Sequence, residues 1–132
     1  MAKAKEKTNA NYSVVISASS QELSAKERIA IKDTSDAIKL DTACEEGELI
    51  FTPKAYAILA VHNEKSDNID YENYVITDTE NQKYVTGSIS FFSSFKNIWD
   101  EMQGESEEWA IKCYKLDSKN YNGKKFLTCS IV

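Results

Sequence analysis

From Trp109 to Val132 the chain reads WAIKCYKLDSKNYNGKKFLTCSIV, which sets Lys112, Lys115, Lys119, Lys124 and Lys125 among Trp109, Tyr114, Tyr121 and Phe126. Ammonium groups neutralise phosphates, and aromatic rings stack on unpaired bases whatever their sequence. The chemistry on offer is therefore the binding of a single-stranded nucleic acid. Tyr74 and Tyr84, on strands upstream, extend the candidate rings, and Tyr121 in the basic loop is the first choice among them. Each of these rings also suits a core position with a wet hydroxyl, so both readings stand at this point. Catalysis is poorly provided for. One histidine, one arginine, no paired Cys-His spacing and no compact carboxylate motif leave little for nucleophilic or general-base catalysis, so no enzyme is expected, nor a metal or other cofactor.

Positioning these groups takes a hairpin. Asn122-Gly123 is a strong reversal signal, because a two-residue turn with positive φ is cheap for Asn and Gly. The expected order is strand, basic loop, strand. Leu127, Cys129 and Ile131 alternate with Phe126, Thr128 and Ser130, so one face is core and the other is available.

Charge supports the same segment. The chain has 132 residues and a net charge of −5, which at first argues against a polyanionic partner. The charge is segregated, however. Residues 109–132 hold five lysines against Asp117 alone, and residues 1–11 hold three lysines against Glu6, which leaves −11 on the residues between. Local charge decides where a polyanion lands. Cys44, Cys113 and Cys129 have no CxxC spacing and read as reduced, buried thiols of a cytoplasmic protein. No run has the length of a membrane span and none reads as a signal peptide.

Taken in order, residues 1–11 form a flexible basic arm, either a solubilising tail or a contact to DNA or to a neighbouring subunit. Tyr12–Ala18 reads as a strand. Ser24 and Glu27 have capping-box spacing and open a short helix to Lys32, on which Arg28 is solvated. One or two short strands are expected between Asp36 and Phe51. Ala55–Asn63 is apolar throughout, as in a strand covered on both faces, with His62 as a strand-end side chain. Tyr71–Thr77 and Lys83–Gly87 complete a three-stranded meander. Ser88 or Ser90 caps a helix whose stripe of Phe91, Phe92, Phe95, Ile98, Trp99 and Met102 reads as core, with Gly104 past its end. An acidic patch of Asp100, Glu101, Glu105, Glu107 and Glu108 follows.

Three strands, a helix and two strands from Ala55 to Val132 is the order of the OB-fold. The expected architecture is mainly β: a five-stranded Greek-key barrel with a helix between strands three and four, plus an N-terminal strand and helix. Residues 12–132 form one domain in which 12–52 are additions. The segments DYENYVITD, KYVTGSISFFSSFKNIWDEM, EEWAIKCYKLDSKNYNGKKFLTCSIV and LSAKERIAIKDTSDAIKLD resemble a family of small single-stranded-DNA-binding proteins of Gram-positive phages and conjugative plasmids. The resemblance covers most of the chain from Val14 onward. It implies an OB-fold that coats single-stranded DNA without strong sequence preference during replication or conjugative transfer, with weaker binding of duplex DNA or RNA. The chain ends on a strand, so it lacks the acidic C-terminal tail by which bacterial housekeeping single-strand binders recruit partners. Self-association through the N-terminal arm is a further expectation, and no membrane partner is expected. The alternative is a protein-binding module whose acidic middle segment mimics DNA.

Overall fold

The computed structural model describes residues 11–118 and 123–132. Among these, strands β1 (Tyr12–Ser19), β2 (Ile38–Lys39), β3 (Leu49–Phe51), β4 (Pro53–Asn63), β5 (Asp70–Asp78), β6 (Lys83–Thr86), β7 (Ile111–Asp117) and β8 (Lys125–Ile131) make the protein mainly β. Helices α1 (Ala25–Lys32), α2 (Leu40–Ala43) and α3 (Ile89–Met102) complete it. The strands form two sheets, one ordered β1-β4-β5-β6-β2 and one ordered β3-β7-β8, and no closed barrel.

The chain crosses between the sheets at Thr52. Leu49–Phe51 pairs with β7, whereas β4 from Pro53 onward pairs with β5. Proline lacks an N–H for the ladder and is tolerated at a strand's first residue, and the register shifts between Pro53 and Ala55. The expectation that residues 12–52 are all additions is thus corrected. The short strands expected between Asp36 and Phe51 are found at Ile38–Lys39 and Leu49–Phe51, and the second pairs with β7 as part of the smaller sheet.

Alternation along the long strands gives the larger sheet two apolar faces. Tyr56, Tyr74, Ile76 and Tyr84 face α3 and the smaller sheet, where Phe91, Phe95, Ile111 and Cys113 are fully buried. Leu59, Val61, Val75 and Val85 face the other way, flanked in the sheet by Val14 and Ile16 of β1 and covered by Ile31 of α1 and Ala37. The expectation of a strand covered on both faces therefore holds for β4. Helices α1 and α3 start on capping serines: Ser24 and Glu27 complete the capping box, and Ser88 Oγ accepts from the Phe91 amide at 3.1 Å. Gly104, at φ 85°, lies just past the end of α3 in the left-handed region that glycine tolerates.

Asp78, only 6% exposed, holds the turn between β5 and β6. Its Oδ1 accepts from the Glu80 and Gln82 amides, and its Oδ2 accepts from the Tyr84 hydroxyl at 2.8 Å. Asp78→Ala leaves three donors without their acceptor, a loss of about 1–3 kcal/mol in urea unfolding. Adding Tyr84→Phe should recover part of that loss in a double-mutant cycle; strictly additive effects would contradict the network.

Candidate nucleic-acid interface

The register of the smaller sheet decides which lysines and rings share a surface. Cys113 lies opposite Cys129, Tyr114 opposite Thr128, Leu116 opposite Phe126, and Lys112 between Ile50 and Ser130. Side chains alternate across a strand, so Ile111, Cys113, Leu127 and Cys129 point into the core. Burial pushes the Cys129 thiol up to about 12 and that of Cys113 higher still, so both stay protonated and apolar. The opposite face consequently presents Ile50, Lys112, Tyr114, Leu116 and Phe126.

This outer face is apolar with a basic flank. Ile50 is 58% exposed, Leu116 45% and Phe126 38%, and Val132, paired through its backbone with Ala110, continues the stripe. Other exposed apolar side chains, Tyr12, Val15, Ile29, Ile69 and Ile89, sit on separate elements, and Ile131, expected in the core with Leu127 and Cys129, is exposed at the end of β8. The Lys112 ammonium lies over the Tyr114 ring, 5.4 Å from its centroid, and 3.9 Å from Glu48 Oε2. Tyr114 Oη and Ser130 Oγ are 2.5 Å apart, and Thr128 Oγ1 lies 3.3 Å from Ser94 Oγ on α3. The α3 helix also covers the edge of β8, where Ser90 Oγ donates to the Leu127 carbonyl.

The sequence candidates divide on this geometry. Lys112, Tyr114 and Phe126 share the outer face, with Lys124 and Lys125 exposed at its loop end. Lys115 alternates to the inner side, where its charge acts on the Cys44 thiol. Tyr74 and Tyr84 are corrections. Tyr74 is stacked on Phe92 at 4.2 Å and Tyr84 on Phe51 at 3.9 Å, both buried, because each occupies the inward phase of its strand. Trp109 is half-buried against Trp99. Lys119 and Tyr121 lie outside the described residues, as do residues 1–10 of the basic arm. The expected order of strand, basic loop and strand is found, with Asp117 opposite Lys125 and the Ser118 N–H donating to the Lys124 carbonyl; Asn122 of the expected reversal also lies outside the described residues, while Gly123 has φ 78°. Ile50, Leu116 and Glu48 were not among the sequence candidates, although Leu116 follows Lys112 and Tyr114 at period two.

A second concavity is less suited to a ligand. Leu23, Ile31, Ala55, Ala57 and Val75 line a cleft of about 350 Å³ between α1 and the larger sheet. Its charged rim is engaged with itself: Lys83 Nζ donates to the Ala30 and Asp33 carbonyls and pairs with Asp36, while Lys54 bonds Asn81.

Comparison with protein-family models, with curated proteins and with solved structures returned no match. No helix among the described residues is long and apolar enough to cross a membrane.

His62 sits between Asp70, 2.7 Å from Nδ1, and Glu64, 3.1 Å from Nε2, and these hydrogen bonds raise its pKa above 6.5. A raised folded pKa contributes stability that is fully present below about pH 6.5 and fades as pH rises through the folded value. The NMR titration of this single imidazole should show a midpoint above 6.5 that falls in Asp70→Asn. A midpoint unmoved by that substitution would contradict the pairing.

Proposed function

We propose that this protein binds single-stranded DNA on the outer face of β3, β7 and β8 and coats it without strong sequence preference. The observation that carries the reading is the stripe of half-buried Tyr114 and exposed Leu116 and Phe126 beside Lys112 and Lys124, with Lys125 exposed at the loop end of β8, within the one strongly basic segment described. Rings take bases, and ammonium groups take the phosphates that follow them. A duplex keeps its bases stacked inside and offers the stripe little. The resemblance of several segments to single-strand binders of Gram-positive phages and plasmids favours a role in replication or transfer of such DNA.

An open OB-type fold is the architecture we infer. Its support is the β4-β5-β6 meander, the helix after the third strand, and the antiparallel pairing of β7 with β3, which makes β3–β4 a bent strand shared by two sheets. One departure bears on function. OB-folds use the face of strands two and three, but here Val75 and Val85 on the corresponding strands are covered by Ile31 and Ala37. The outer face of the smaller sheet remains open, which is why binding is assigned there.

A second reading, a module that docks a basic protein through its carboxylates, draws on the net −11 between residues 12 and 108. One titration separates the two. In fluorescence anisotropy with labelled oligo-dT, Lys112, Lys124 and Lys125 should give a log–log salt slope of about −2, at about 0.7 per neutralised phosphate. Tyr114→Ala should weaken binding by about 1–3 kcal/mol. No binding at low salt would remove the DNA reading and favour the acidic module.

A further inference from the structure

On the reading that the outer face of β3, β7 and β8 takes unpaired bases, we infer that Leu116 recognises the 5-methyl group of pyrimidines. The site would therefore favour thymine over uracil, and DNA over RNA. What the face lacks supports this as much as what it carries. Reading a base by its edge requires a free donor or acceptor beside the ring on which the base stacks. Among the described residues, the hydroxyls of this face nearest Phe126 are each paired with another hydroxyl: Tyr114 Oη with Ser130 Oγ, and Thr128 Oγ1 with Ser94 Oγ. Lys112 lies over the Tyr114 ring, beyond the Tyr114–Thr128 pair from Phe126, and is a phosphate partner.

An aliphatic contact is what remains. Leu116 stands directly across the strand pair from Phe126, and both are exposed, at 45% and 38%. Side chains opposite one another in an antiparallel pair have Cβ atoms about 4.5–5.5 Å apart. A pyrimidine stacked on the Phe126 ring therefore extends an edge over Leu116. A methyl group at C5 is the one base substituent that gains by leaving water for such a surface, and contact with the thymine methyl is an established mode of base readout. Covering one methyl is worth about a fourfold gain in affinity at each engaged base.

The test compares oligonucleotides that differ only in that methyl. The full chain is titrated with oligo-dT against oligo-dU, and with 5-methyl-dC against dC, using wild type and Leu116→Ala. Leu116 is exposed, so the variant should fold, and circular dichroism checks that it does. The expected result is a threefold or greater preference for the methylated member of each pair, lost in Leu116→Ala while salt-sensitive binding persists. Equal, tight binding of dT and dU overturns the inference and leaves the interface standing. A methyl preference that survives Leu116→Ala overturns the assignment to this residue. Failure of every oligonucleotide to bind removes the interface itself, and the inference with it.

Discussion

The arrangement rests on the phase of one strand pair. Cys113 opposite Cys129, with Ile111 and Leu127 beside them, fills the space under Phe91 and Phe95, and a core this closely packed accepts no slip by one residue. Fixing the inward set fixes the outward set. Lys112, Tyr114, Leu116 and Phe126 point outward because their neighbours must be buried, and the Tyr114–Ser130 contact across the strands locks the ring in place. The two buried thiols serve this directly. Held protonated by burial, they behave as small apolar side chains and present no charge to the core.

A second constraint decides which surfaces stay available. The larger sheet is apolar on both sides, so it has to be covered on both sides. The α3 helix and the smaller sheet cover one side. On the other, Ile31 of α1 and Ala37 pack against Leu59, Val61, Val75 and Val85, while Val14 and Ile16 of β1 extend the same apolar face at the sheet's edge. Lys83 ties down the last turn of α1 by donating to the Ala30 and Asp33 carbonyls, where an ammonium also meets the negative end of the helix dipole. Helix α1 and the segment after it thus cover this face of the larger sheet. The smaller sheet, with only its inner side needed for the core, keeps an outer face for a partner.

Much of this was legible in the residues. The capping serines, the aromatic stripe of α3, the meander and the alternation of β8 are strong local patterns, and local patterns survive folding when tertiary packing agrees with them. What escaped depended on contacts distant in sequence. The pairing of the short strand Leu49–Phe51 with β7 is such a contact, and the burial of Tyr74 and Tyr84 follows from Phe92 and Phe51 arriving to cover them. Leu116 and Ile50 look like core residues by type. Only their strand phase turns them outward.

The central claim, that the outer face of the smaller sheet is the nucleic-acid surface, is tested most directly by following side-chain NMR signals during titration with oligo-dT. The account predicts that shifts concentrate on Ile50, Lys112, Tyr114, Leu116 and Phe126, while the methyl signals of Leu59, Val61, Val75 and Val85 under α1 stay still. Shifts confined to that covered face or to the carboxylate-rich stretch Glu64–Glu72, or none at all, would contradict it.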